Sequence, residues 1–232
     1  MTGVQTCALP ISRLRNLLAV LQLASPALPV GGFAYSQGLE QAIADGLVVD
    51  EAGVQRWIAD VLALVIARLE APLWLRAYDA AAVGDATAFT RWNAELLASR
   101  ETRELREETR QMGGSLLRAM PALAVPAPCA QRQGLSYPAA FAWCCAQLGV
   151  DREAGLAAYV WAWFENQVLV AVKTVPLGQM AGQRLLLAGH ETIAQAVQTA
   201  MALPDDEMGA CAIGYAIESA RHETLYSRLF RS

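Results

Sequence analysis

From Asp151 to Lys173 apolar side chains fall on nearly every side of a helical wheel: Leu156, Tyr159, Val160, Trp161, Trp163, Phe164, Val168, Leu169 and Val172. A helix without a polar face must be enclosed, either by other helices or by lipid. The strongly apolar stretches are Val61 to Ile66, Gly155 to Phe164 and Val168 to Val172, and Glu165-Asn166-Gln167 separates the last two. Each falls short of the roughly 18 unbroken apolar residues that a membrane span needs. The stretch therefore predicts a buried core helix at about 151–173, and the rest of the chain has to supply its cover. Hydrophobic residues make up 55% of the 232 and charged ones 17%, which suffices for one large core.

That cover reads as helical throughout. Leu14, Leu17, Leu18 and Leu21 follow i, i+3, i+4, i+7 and predict an amphipathic helix from Ser12 to Ala24, stopped by Pro26 and Pro29. The segment Ser25 to Ser36 is a loop with Phe33 and Tyr35 beside Gly31-Gly32, and a short helix follows from Gln37 to Asp45. Asp50 caps a long helix that Pro72 kinks or divides, Gly84 ends it, and Asp85 caps the next as far as Ser99. Pro121, Pro126 and Pro128 mark a loop to Gly134, and helices follow from Ser136 to Leu148 and from the Asp151 cap. A further helix starts at Gln179, and Pro204 opens the last, which reaches about Arg221. No alternating apolar and polar run with hairpin punctuation occurs, and no internal repeat. The expected fold is an all-α, single-domain bundle of about ten helices around the 151–173 helix.

Met1 to Ile11 matches neither helix nor strand, carries no basic region ahead of an apolar run, and resembles the translation of a sequencing-library adapter. It is taken as non-native, and the domain is expected to span Ser12 to Ser232. Without Cys7, the remaining Cys129, Cys144, Cys145 and Cys211 form no C-x-x-C pair and no metal-ligand spacing, so they are expected as reduced, buried thiols in the cytoplasm.

The densest charge run, Arg100 to Arg110, offers i, i+4 pairs Arg100–Glu104 and Arg103–Glu107 with an apolar seam of Leu105, Met112 and Leu116. It reads as a helix with a solvated outer face. A formal charge of −4 with mixed signs argues against a nucleic-acid partner. Catalytic signatures are missing. There is no phosphate-cradling loop, and His190 and His222 each precede a Glu without opening H-E-x-x-H. Glu107-Glu108 and Asp205-Asp206 sit in exposed settings that would not raise a pKa. The reading is a non-enzyme without cofactor or metal site, and the alternative of a small helical enzyme would have to use His190 or His222.

The end of the chain is different. Arg221 to Ser232 packs three arginines (Arg221, Arg228 and Arg231), Tyr226, Phe230 and two leucines (Leu225 and Leu229) into twelve residues. Arg beside Tyr and Phe is the composition of an interface anchor, the alternative being a final turn packed on its own domain. Lys173, at the end of the apolar helix, is explained either by the open carbonyls there or by a surface contact.

Three strings then point to a family. Leu21 to Glu40 (LQLASPALPVGGFAYSQGLE), Arg100 to Glu108 (RETRELREE) and Ser219 to Ser232 (SARHETLYSRLFRS), with Val172 to Gln179 in register, resemble the urease accessory protein UreF family from about Leu14 onward. The resemblance implies a cytoplasmic, homodimeric chaperone that binds a UreD/UreH-type protein, recruits a UreG-type GTPase and helps deliver nickel to apo-urease. It further implies partner contacts at Tyr35, Ser36, Lys173, Arg221, His222, Glu223, Tyr226, Arg228, Leu229, Phe230 and Arg231. A regulator that activates the GTPase, with Arg221, Arg228 or Arg231 reaching in trans, is the alternative within that reading.

Overall fold

The computed structural model describes residues 11–128 and 134–232; the Met1–Pro10 segment and Cys129 lie outside the described residues. Among those described there is no strand, and the chain is all-α. The helices are α1 (Ile11–Ala24), α2 (Leu39–Ala44), α3 (Glu51–Val61), α4 (Ala71–Val83), α5 (Ala86–Ala98), α6 (Arg103–Ala119), α7 (Tyr137–Gln147), α8 (Arg152–Thr174), α9 (Gln179–Ala202) and α10 (Ile213–His222).

Side-chain caps set the starts of five of the ten described helices. The first amides of a helix lack intrahelical acceptors, and a short polar side chain at the preceding residue supplies one. Asp50 accepts from Gly53 N at 2.7 Å, Asp85 from Ala88 N at 2.9 Å, Ser136 from Ala139 N at 3.3 Å and Asp151 from Glu153 N at 3.0 Å. Thr102 does the same for α6, accepting from Leu105 N at 3.3 Å.

Between α3 and α4 the helix does not break. It widens into a π-helical stretch, Leu62–Glu70, and Pro72 lies in the first turn of α4. Pro72 has no N–H to offer the preceding turn. The Arg68 carbonyl instead accepts from Gly209 N at 3.1 Å, so the loop before α10 fills the gap left by the proline. The wide stretch ends on Glu70, whose buried carboxylate pairs with the Arg100 guanidinium and accepts from the Tyr159 hydroxyl.

α8 touches α1, α2, α3, α4, α7 and α9. From Gly155 to Val172 it leaves only Leu169 exposed. Its antiparallel neighbour α9 comes close because Gly182 and Gly189 face it: a Cβ on Gly189 would stand 2.4 Å from the Phe164 ring. α4, α5 and α7 close the other side around Trp74, Phe89 and Phe141, and α6 packs on α7. α1 meets this body through Ala19, Val20, Leu23 and Ala24, so its leucine stripe, Leu14 to Leu21, stays about half exposed. Cys144 and Cys145 are buried free thiols, with Cys144 pushed up to about 12 by burial, whereas Cys211 is exposed, contrary to the expectation of buried thiols throughout. None of the described helices is long and apolar enough to cross a membrane.

Candidate functional site: a tail pinned by buried carboxylates

Beyond His222 the chain leaves the helix and returns across α2 and α6 without further helical structure. Three acidic side chains hold it there. His222 is fully enclosed, its Nδ1 2.7 Å from Glu104 Oε2 on α6 and its Nε2 3.0 Å from Glu40 Oε2 on α2. Glu40 also accepts the backbone amides of Leu229 (2.6 Å) and Phe230 (3.1 Å), and Glu104 Oε1 accepts from Arg228 at 2.6 Å. Glu108, one turn beyond Glu104, accepts from the Ser232 hydroxyl at 2.7 Å. Each carboxylate thus satisfies several donors at once, the condition under which burying an acidic group is tolerated.

The loop before α2 forms the other wall. The main-chain oxygen of Ser232 accepts from Ser36 N (2.6 Å), Gln37 N (2.9 Å) and the Ser36 hydroxyl, while Arg231 N donates to Ala34 O at 2.8 Å. Gln37 bridges inward, donating to Glu108 Oε1 at 2.6 Å and accepting from Trp163 Nε1 at 2.7 Å. Gly38, at φ +79°, turns the chain into α2. A Cβ there would sit 3.0 Å from Ser219 N of α10, so both backbone conformation and space require glycine. Tyr35 is buried, donating its hydroxyl to Gln111 Oε1 at 2.8 Å while Asn166 holds its carbonyl at 3.0 Å. Glu223 accepts from Arg103 N at 3.0 Å, and Lys173 Nζ stands 5.9 Å from the ring of buried Phe230.

The residues that the sequence singled out therefore converge, but on two sides. Tyr35, Ser36, His222 and Phe230 are buried and hold the tail; Lys173, Arg221, Tyr226, Arg228, Leu229 and Arg231 are exposed, and Glu223 is intermediate. Tyr226 is 103% and Leu229 74% exposed.

The charge run departs from its expected solvated role. Arg100 precedes the Thr102 cap, so it cannot make a helical pair with Glu104 and turns inward to Glu70. Glu104 and Glu108 are buried on the side of Leu105 and Met112, while Arg103, Arg106, Glu107 and Arg110 face water. Glu40, Gln37, Gln111, Glu104 and Glu108 were not among the candidates. The i, i+4 spacing of Glu104 and Glu108 next to the apolar seam was the available signal. Likewise Glu108 is not in an exposed setting: burial pushes it from 4.5 up to about 7, against the hydrogen bonds from Gln37 and Ser232 that favour its charged form.

A pH dependence follows. Because Glu108 is raised in the folded chain, its contribution to stability is full below about pH 4.5 and lost as pH rises through about 7. A shift of this size corresponds to about 3 kcal/mol. The midpoint of chemical denaturation of the wild type is expected to fall between pH 5 and 8, and that of the Glu108→Gln variant to be flatter across that window; parallel curves would refute the assignment.

His190 is exposed and tilted against Trp161, ring centroids 5.7 Å apart, and both nitrogens of His222 are occupied by carboxylates. Among the described residues no group of three or more His, Cys, Asp or Glu is placed to hold a metal ion. A cavity of about 100 Å³ runs from Leu23, Phe33 and Trp163 down to Glu70, Arg100 and Glu108.

The family model described as UreF matches residues 48–190. The chain is 50% identical over 220 residues to the urease accessory protein UreF of Bordetella parapertussis, covering 91% of this chain and 100% of that one. It is 48% identical over 233 residues to that of Delftia acidovorans, covering 94% and 98%. Against the bifunctional urease accessory protein UreEF of Bordetella bronchiseptica the identity is 50% over 225 residues, 94% of this chain but only 52% of that protein, so the chain spans about half of it. The chain belongs to the UreF family of urease accessory proteins, and its role lies in urease maturation.

Proposed function

We propose that this protein is a non-catalytic scaffold, acting as a cytoplasmic homodimer, which links a UreD/UreH-type protein and a UreG-type GTPase to apo-urease for delivery of nickel. The observation that carries this reading is the two-sided tail. Its inner side is fixed by Glu40, Glu104 and Glu108, and its outer side holds Tyr226 and Leu229 in water with Arg228 and Arg231 around them. An ordered, exposed tyrosine and leucine flanked by arginines have the composition of an interface centre. Nickel is cargo in this scheme, and the arrangement requires no ligand set on this chain. The fusion named in the Bordetella bronchiseptica relative supports a UreE-type protein as a further partner.

Co-expression with the UreD-type and UreG-type proteins is expected to give a co-purifying complex. Replacing Tyr226 and Leu229 by serine should weaken the first of these contacts by about tenfold or more, while thermal melting of the free chain stays unchanged because neither side chain is packed. An affinity equal to wild type would reject the tail as the docking surface.

A further inference from the structure

The three carboxylates beneath the tail are not equivalent. Glu40 and Glu104 each face the His222 imidazole, and Glu104 also receives the Arg228 guanidinium. Glu108 has only neutral donors, the Gln37 amide at 2.6 Å on Oε1 and the Ser232 hydroxyl at 2.7 Å on Oε2. The neighbouring guanidinium of Arg100 is paired with Glu70, and Glu70 itself opposes a charge on Glu108. On the tail, Arg231 turns outward to Gln111. The Tyr35 and Tyr215 hydroxyls also feel Glu108, and burial raises both, so they stay neutral around neutral pH. Glu165, Tyr137 and Tyr159 share the cavity of about 100 Å³ with Glu108 and are likewise raised by burial.

These contacts suit an acid better than an anion. Gln37 N donates to Ser232 O at 2.9 Å, so Gln37, Glu108 and Ser232 form a closed ring around a carboxyl group that is 5% exposed. An ionised carboxylate has about four acceptor sites, and two neutral donors leave it short. A hydroxyl both donates and accepts, so Ser232 can turn to accept from protonated Glu108 while Gln37 goes on donating.

We propose that Glu108 is a proton-operated latch on the end of the tail. With its proton, it closes the neutral ring with Gln37 and Ser232. Without it, the carboxylate takes up water by releasing Ser232, and the stretch from Leu229 to Ser232 loosens. The tail is the side that yields, because Leu229 and Arg231 are exposed and only Phe230 and Ser232 of this stretch are buried. The facing wall is built from α8 and the paired Glu70 and Arg100. Burial sets the working range, raising Glu108 from 4.5 to about 7 when the tail is down, while a hydrated Glu108 beneath a lifted tail has its ordinary value. Between those values the lifted form has lost a proton that the closed form keeps, so closure weakens as pH rises and levels off above about 7.

Hydrogen exchange on the full chain tests this, read as protection so that the intrinsic pH dependence of exchange is removed. The reporters are Gln37 N, which donates to Ser232 O, and Arg231 N, which donates to Ala34 O. From pH 5 to 8 their protection is expected to fall by about tenfold or more in the wild type. In Glu108→Gln, uncharged and of the same shape, it should stay level and exceed that of the wild type at pH 8. Level protection in the wild type, or an equal fall in the variant, would overturn the proposal. A second readout needs no variant. Trp163 Nε1 donates to Gln37 Oε1 at 2.7 Å, and its indole NMR signal should titrate with a midpoint near 7. Both readouts use the free chain and stand whichever partner the tail serves. If the Trp163 signal titrates while Arg231 N stays protected, water reaches Glu108 through the cavity and the tail is not latched by it.

Discussion

A His222→Leu chain is expected to keep its helices and lose its tail. Leucine approximates the volume of the imidazole but leaves Glu40 Oε2 and Glu104 Oε2 facing an apolar group in the interior. Removing one member of a buried polar pair costs about 3–5 kcal/mol, because the remaining charge has neither water nor partner. The lower end applies here, since Glu40 keeps the Leu229 and Phe230 amides and Glu104 keeps Arg228. The least expensive relief is for both carboxylates to be rehydrated, and that requires the tail to lift. Hydrogen exchange should therefore accelerate at Leu229 and Phe230 by about a hundredfold, with helical circular dichroism nearly unchanged. Binding to the UreD-type partner should fail together with it. Retained protection at those two amides would show that His222 is packing and not a latch. The Tyr226, Leu229 serine variant is the counterpart, in which binding fails while the amides stay protected.

Gly113→Ala is expected to yield no folded protein. A Cβ at this position would lie 2.0 Å from Leu135 O and 2.8 Å from the carbonyl carbons of Leu135 and Ser136. These are backbone atoms that cannot rotate away. Nor can the segment recede, because Ser136 caps α7 and its amide donates to Asn93 Oδ1 at 2.9 Å. Separating α6 from this junction would open the core at Leu116, Phe141 and Met120 together, so the cost exceeds about 5 kcal/mol, comparable to the whole stability of many domains. Its neighbour is the control. A Cβ on Gly114 would meet only the Arg118 guanidinium at 3.6 Å, and Gly114→Ala should leave stability equal or raise it by up to about 1 kcal/mol through helix propensity. Soluble, cooperatively melting Gly113→Ala protein would contradict this.

The helical class, the Asp50, Asp85 and Asp151 caps and the loop at Ser25 to Ser36 were legible because each depends on residues a few positions apart. The disturbance caused by Pro72 was legible as well, but its form, a continuous helix that widens and does not break, was not. The π-helical stretch depends on Gly209 and on the Glu70–Arg100–Tyr159 group, and no local pattern specifies those partners. The same limit governs the site. The tail was recognisable from Arg, Tyr and Phe in a short space and from its family motif, and nothing in its composition told the inward residues from the outward ones. His222 finds Glu104 and Glu40 at separations of 118 and 182 residues, so only the fold decides that Arg100, Glu104 and Glu108 turn in while Arg103 and Glu107 turn out. Asp45 and Glu218 likewise look like ordinary surface charges until α2 and α10 bring them beneath one arginine.

The Glu223 carboxylate has a reach beyond the tail. Arg103 N is one of the opening amides of α6, which have no acceptor inside their own helix, and the acceptor it uses comes from the far end of the chain. Glu104 and Glu108, the next inward residues of that helix, hold the tail in return. The first two turns of α6 and the residues from Glu223 to Ser232 therefore supply hydrogen-bond partners to each other, so fraying of either one leaves polar groups of the other unpaired.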